Sequence, residues 1–319
     1  MAALCAPVLV LHDRPDELRA TLAARHHGVT FAFARAPDEV RPALEAHRPE
    51  VLFSIKHSGF PGAAHRPAVG FPTVRWVQVG GSGYEHLAPW DPSRVTVTNA
   101  RGVLAPFLAE TAMGALLALN HNLLRYRDAQ RARRWAPLRF RPLAGQTLLL
   151  VGLGAIGRHV ARLARAFGMR VLAVARRGGN HPEVDELHPL DALPALLPRA
   201  DVVSVHLRAA PETAGLFDAR AFAAMRPGAL FLNTSRGALV DEDALRDALD
   251  AGRVGGAYLD VFRDEPLPAE SPWWGRDDVL VTPHASDNAE GWPQRFAAFF
   301  SDNLDRWIAG EALVNVVMP

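Results

Sequence analysis

The 319-residue chain has almost no cysteine and almost no lysine. Cys5 stands alone, so no internal disulfide can form and no cysteine-based zinc site is expected. No other metal site is expected either. Of the 35 basic residues only Lys56 is a lysine. That imbalance reads as coding bias, and it confines any lysine-based covalent chemistry to one candidate. No run of about 18 apolar residues occurs, so no segment is expected to span a membrane. A surplus of either charge is also missing. The formal net charge of +1 gives no reason to expect nucleic acid or an anionic membrane as partner. The first residues, "MAALCAPVLVLHDRPDE", lack a basic leader and meet Asp13 early. They read as a first strand and not a signal peptide, and the expected compartment is the cytoplasm.

What is there is an ordinary soluble balance, 49% hydrophobic and 22% charged, in a chain long enough for two domains. The first third alternates apolar runs with amphipathic ones. "PVLVLH" (7–12), "VTFAFA" (29–34), "VLFSI" (51–55), "VRWVQV" (74–79) and "RVTVTN" (94–99) read as strands. "DELRATLAARHH" and "PDEVRPALEAHR" read as the helices between the first three. One long helix is expected over residues 105–134, then an arginine-rich arm, "RARRWAPLRFRPL". A second series of strands follows at 147–151, 170–174, 201–205, 229–233, 256–261 and 279–283, before a last helix with Phe296, Phe299, Phe300, Leu304, Trp307 and Ile308 on one side. Strands alternating with helices at this spacing predict parallel sheets covered by helices.

Gly152, Gly154 and Gly157 form G-x-G-x-x-G between the strand "TLLLV" and the helix "RHVARLARAF". In that setting the pattern predicts a dinucleotide site. The first glycine permits the tight turn, the second admits a pyrophosphate, and the third lets helix pack on strand. The helix N-terminus adds free N–H groups and partial positive charge. An acid that binds the ribose of NAD is expected about 20 residues further on. Here that place falls near Ala175, followed by Arg176 and Arg177. Two forked cationic donors suit a 2′-phosphate, so NADP(H) is expected over NAD(H).

Three more segments lie at strand ends, where open α/β sheets place ligands. They are "NTSRGALVDEDAL" (233–245), "LDVFRDEPLP" (259–268) and "VTPHAS" (281–286), and each holds one ionisable residue in a short loop: Arg236, Glu265 and His284. Together with "VGLGAIG" and "PETAGLFDARAFAAMRPGALFLNTSRGALVDEDAL", these blocks closely resemble the D-isomer-specific 2-hydroxyacid dehydrogenase family, densely from about Gln78 to Val317. The arginine pair and the "RRWAPL" arm are most like its glyoxylate/hydroxypyruvate reductase branch.

The resemblance implies a role for each residue. Arg236 would bind the substrate carboxylate and help polarise the 2-oxo group. His284 would be the general acid in reduction, and Glu265 would hydrogen-bond its other ring nitrogen and fix its orientation. Ala155 and Ile156 in the glycine turn, with Thr234 and Ser235 beside Arg236, would contact the coenzyme. Asp260 matches the aspartate that holds the nicotinamide carboxamide, although a local hydrogen bond at its strand end would also account for it. "VGGSGYEHL" resembles the substrate loop, in which N–H groups of Gly81, Ser82 and Gly83 could form a nest for the carboxylate. Trp135, in the arm, would pack on a second subunit and reach its active site, or cover a hinge. A homodimer is expected.

The implied fold is two doubly wound parallel-sheet domains. A Rossmann coenzyme domain (99–285) is inserted into a flavodoxin-like substrate domain (1–98 plus 286–319). The implied activity is NADPH-dependent reduction of a small 2-oxoacid, glyoxylate or hydroxypyruvate favoured. Phosphite oxidation and a non-catalytic dinucleotide sensor or corepressor stay open. Two departures stand out: Ala285-Ser286-Asp287-Asn288 after the histidine, and Arg208 where a proline is common. Phe53, Lys56, Tyr84 and Trp292 are candidate lining residues of the side-chain pocket.

Overall fold

The computed structural model describes residues 6–57 and 59–319. Cys5, the start of the N-terminal reading and Ser58 lie outside the described residues. The chain divides into two compact units, residues 1–104 with 290–319, and residues 105–289.

The first unit opens with β1 (Val8–Leu11), α1 (Asp16–Arg25), β2 (Phe31–Ala34), α2 (Val40–His47), β3 (Val51–Ile55), α3 (Arg66–Gly70), β4 (Trp76–Gly80) and β5 (Thr96–Asn99). The second contains α4 (Ala105–Asn120), α5 (Leu123–Arg131), β6 (Thr147–Val151), α6 (Ala155–Ala166), β7 (Arg170–Ala175), β8 (Glu186–Pro189), α7 (Leu193–Leu196), β9 (Val202–Val205), α8 (Ala219–Ala224), β10 (Ala229–Asn233), α9 (Glu242–Asp250), β11 (Val254–Leu259) and β12 (Val279–Val281). The chain then returns to the first unit with α10 (Trp292–Ala309) and β13 (Val316–Val317).

The first sheet has the order β13-β5-β4-β3-β1-β2, parallel except for β13, which runs antiparallel to β5. Its inner strands are short and apolar because both faces are covered, and every residue of β1, β3 and β4 is buried. Phe300 of α10 stacks on Phe53 with ring centroids 4.6 Å apart and lies 5.4 Å from Trp76. Phe53 is therefore a core residue, and its expected place in a pocket lining is corrected: a strand buried on both faces leaves no open side for it. The second sheet has the order β12-β11-β10-β9-β6-β7-β8, all parallel. The strand order reverses between β6 and β9, the switch point at which doubly wound sheets bind ligands.

Two expectations change. The single helix over 105–134 is two, α4 and α5, because Asn122 turns left-handed with φ 58°. Asparagine tolerates that region, and here its neighbours exploit the break. Asn120 and Asn122 donate side-chain N–H groups to the carbonyls of Arg141 and Arg139, which tie down the arm. The buried side of α4, with Ala112, Met113 and Leu116, packs against Leu148, Val160 and Ala164 in the core of its own unit. The second change is a pair of strands the sequence pattern did not show, β8 ("ELHP") and β13. Among the described residues no helix is long and apolar enough to cross a membrane.

Candidate active site

The glycine turn lies between β6 and α6. Gly152 has φ 111°, and a Cβ there would sit 2.7 Å from the carbonyl oxygen of His206. A Cβ on Gly157 would lie 2.2 Å from the carbonyl oxygen of Gly152, so helix and turn touch backbone to backbone. Gly154 differs, with nothing within 4 Å of its Cβ position. The turn is closed on both flanks and open in the middle. The Arg158 N–H donates to the Gly154 carbonyl at 3.0 Å, which leaves the N–H groups of Ala155, Ile156 and Gly157 without partners inside α6. Nearby chemistry points the same way. Thr234 Oγ1 is buried with no hydrogen-bond partner, whereas the Ser235 hydroxyl donates to the Leu207 carbonyl. Arg176 and Arg177 follow the end of β7, both exposed, and among the described residues neither makes an ion pair. An open glycine, free helix N–H groups and an orphaned threonine hydroxyl fit a dinucleotide.

His284 and Glu265 meet. The His284 Nδ1 lies 2.8 Å from Glu265 Oε2, and Glu265 Oε1 accepts the Phe262 N–H at 2.9 Å. His284 holds φ 48°, a left-handed conformation that a non-glycine residue keeps only when its surroundings impose it. Asp260 supplies much of that constraint. Its carbonyl accepts the His284 N–H at 2.8 Å, and its Oδ1 accepts the Thr282 hydroxyl at 2.5 Å and the Ala285 N–H at 2.8 Å. Its Oδ2 accepts the Ser286 N–H at 3.2 Å. The side chain is wholly buried, so what the structure shows for Asp260 is an anchor of the histidine turn.

Arg236 sits on the loop after β10. There Asn233 donates to the Arg236 carbonyl at 3.1 Å, and the guanidinium donates to the Ser235 carbonyl at 2.7 Å. Its charge, with those of His284 and Asp260, is felt at Asp287, the departure noted in the sequence. The Asp287 carboxyl is raised from its ordinary value chiefly by desolvation, although the residue keeps solvent contact; His284 and Arg236 oppose the shift.

The loop at Gly81–Gly83, expected from the sequence to bind substrate, belongs to the first unit. Gly81 has φ 105° and accepts the Ala100 N–H at 2.7 Å, and the Ser82 carbonyl accepts from Asn99 at 2.8 Å. Neither bond uses the loop's own N–H groups. Beside it the sheet edge carries a cluster that motif reading missed, because its members come from distant strands. The His12 and His57 rings lie 4.9 Å apart, with Trp292 packed on both and Asp13 Oδ1 3.1 Å from His57 Nε2. Among the described residues, His12, Asp13 and His57 are the one group close enough to share a cation. Yet each Nδ1 accepts a backbone N–H, from Arg14 at 3.0 Å and from Gly59 at 3.1 Å. Burial keeps His12 neutral, pushed down to about 4, and it lowers His57 as well. Each neutral ring with an acceptor Nδ1 carries its proton on Nε2, so the pair presents donors and not metal-ligating lone pairs. Of the remaining expected lining residues, Lys56 is exposed and Tyr84 packs edge-on against Trp90.

Residues 113–286 match the family model "D-isomer specific 2-hydroxyacid dehydrogenase, NAD binding domain". A glyoxylate reductase from Korarchaeum cryptofilum is 34% identical over 257 residues, covering 77% of this chain and 76% of that protein. A D-3-phosphoglycerate dehydrogenase from Mycobacterium leprae is 33% identical over 321 residues, and the match covers 98% of this chain but 58% of that longer protein. Among solved structures, a D-isomer specific 2-hydroxyacid dehydrogenase family protein from Aeromonas salmonicida superposes with TM-score 0.87 at 33% identity, covering 98% of this chain and 99% of its own. An NADPH-dependent glyoxylate/hydroxypyruvate reductase from Sinorhizobium meliloti, in complex with NADP and sulfate, gives TM-score 0.82 at 26% identity and 98% coverage of both. The chain belongs to the D-isomer-specific 2-hydroxyacid dehydrogenase family and is an NAD(P)-dependent oxidoreductase of 2-hydroxy and 2-oxo acids.

Proposed function

We propose that the protein reduces a small 2-oxoacid, glyoxylate or hydroxypyruvate, to the D-2-hydroxyacid with NADPH. The observation that carries the reading is the 2.8 Å contact between His284 Nδ1 and Glu265 on the strand-end edge that also bears Arg236. With Nδ1 engaged, Nε2 is the ring nitrogen left to give a proton to the carbonyl oxygen. Arg236, a fixed two-pronged donor, holds the substrate carboxylate. NADPH, when bound, supplies the hydride that reaches the carbonyl carbon. Gly152, Gly154, Ala155, Ile156 and Gly157 hold its pyrophosphate, with Thr234 and Ser235 beside them. Asp260 acts on the nicotinamide end through the turn it anchors.

Arg176 and Arg177 are the basis for NADPH, supported by the NADP-bound Sinorhizobium relative. The test is a matrix of NADPH and NADH against glyoxylate, hydroxypyruvate, pyruvate and bulkier 2-oxoacids, with phosphite run in the oxidative direction. In R176A/R177A the KM for NADPH rises by roughly tenfold to a hundredfold, the worth of one or two charge-assisted contacts, and that for NADH stays within about twofold. Equal use of both coenzymes by the unaltered protein would falsify the arginine assignment. Coenzyme binding without turnover on any acid would favour the sensor.

A homodimer through the arm accompanies this reading. Trp135 is 99% exposed and Phe140 49% exposed, and large aromatics so placed mark an interaction surface. Light scattering of W135A against the unaltered chain tests it.

A further inference from the structure

Glu242, the first residue of α9, has no part in the reading above. Both of its carboxylate oxygens nevertheless land on the stretch that carries Glu265. Oε1 accepts the Arg263 N–H at 2.6 Å, and Oε2 accepts the Trp273 indole N–H at 3.2 Å. The preceding donor along the chain, the Phe262 N–H, holds Glu265 Oε1 at 2.9 Å. Two consecutive peptide groups thus face two carboxylates, one on α9 and the other the partner of His284. The same stretch is braced by Gly237, where a Cβ would lie 2.0 Å from the Phe262 carbonyl carbon. That contact presses the loop of Arg236 onto the loop of Glu265 with no room for a side chain. Trp273 is buried, so Oε2 rests on a fixed wall. An acid at a helix N-terminus is favourable in any helix, which explains the charge of Glu242 but not why each oxygen meets the 263–273 segment.

We infer that Glu242 is a positioning residue for the reaction, acting through Glu265. It fixes the peptide at Arg263, and with it the neighbouring N–H that orients Glu265 toward His284 Nδ1. The inference rests on the roles proposed for Glu265 and His284. A general acid held by a chain of contacts loses rate when any link relaxes, and about 1 Å of displacement is worth up to a hundredfold.

The experiment is a double-mutant cycle with E242A and E265A, alongside H284A, reading kcat, KM, the pH dependence of kcat/KM and coenzyme binding. E242A lowers kcat by between about tenfold and a hundredfold and shifts the pH profile, while NADPH affinity stays within about twofold. In the E265A background the same substitution costs less than about twofold, because its route is already cut. If E242A does not fold, E242Q goes through the same cycle: its amide can accept from one of the two N–H donors but turns an NH2 group toward the other. If E265A and H284A keep full turnover, the proposed acid pair is wrong. If they are impaired while E242A behaves like the unaltered protein, or if its loss multiplies with that of E265A, the positioning role alone is overturned.

Discussion

The carboxyl edges of the two sheets treat their ionisable side chains differently. On the second sheet, the acids at the strand ends are satisfied several times over, although Thr234 Oγ1 and His206 Nδ1 there are buried with no hydrogen-bond partner. Asp260 takes four donors, counting its carbonyl, and Glu265 and Glu242 each take two. On the first sheet, His12 Nε2 and His86 Nε2 are buried with no hydrogen-bond partner, while His57 Nε2 faces Asp13 Oδ1 at 3.1 Å. An over-determined edge can hold a strained residue such as His284 in one geometry. An edge with unmet donors is left to be completed by something else.

Breaking the satisfied edge should have the largest effects. H284A removes the proposed proton donor, and kcat should fall by about 10² to 10⁴-fold with coenzyme affinity intact, as steady-state kinetics and fluorescence titration would show. D260N ranks next. An amide keeps one acceptor oxygen but sets an NH2 group against the Ala285 or Ser286 N–H, so the turn relaxes. A fall in kcat of about tenfold to a hundredfold is expected, with a lower melting temperature. Unchanged kinetics in D260N would mean that the left-handed histidine is held by something other than this carboxylate.

Much of the satisfied edge was legible because its residues lie in short loops with distinctive neighbours. The glycine turn begins directly after β6, and Arg236, Glu265 and His284 sit three, six and three residues past the ends of β10, β11 and β12. Glu242 lies in the quoted segment "NTSRGALVDEDAL" but drew no reading, because its contacts depend on Arg263 and Trp273, which only the fold brings to it. The other edge was hard to read for a related reason. His12, His57 and Trp292 come from the ends of β1 and β3 and from α10, and sheet register, not spacing, assembles them. Phe53 misled because "VLFSI" is buried throughout, so period-two alternation could not say which side was open. β8 was missed since "ELHP" offers one apolar residue, and it joins the sheet edge through backbone pairing with β7. The break at Asn122 turns on one left-handed residue inside an otherwise helical pattern.

The smallest effect sharpens the comparison best, because it needs no substitution. Burial pushes His12, His65 and His86 of the first unit down to about 4, and in the second unit it does so to His206. Such a ring is neutral when folded and protonates near its ordinary 6.5 when unfolded. Between pH 6.5 and about 4 the unfolded chain therefore binds more protons, and stability present above that window is lost as the pH falls. Three of the four rings lie in the first unit, so hydrogen exchange should show β1, β3 and α10 losing protection on acidification before β6, β9 and β10. Glu186 in the second unit acts later. Arg199 and His188 hold it at about 2, so its contribution disappears only as the pH drops below its ordinary 4.5. H65F removes one such ring, with its bonds to Ser54 and the Phe60 carbonyl, and should flatten the upper part of the first unit's decline while lowering its stability at neutral pH. If the second unit opened first, buried neutral histidines would not be what limits this protein in acid.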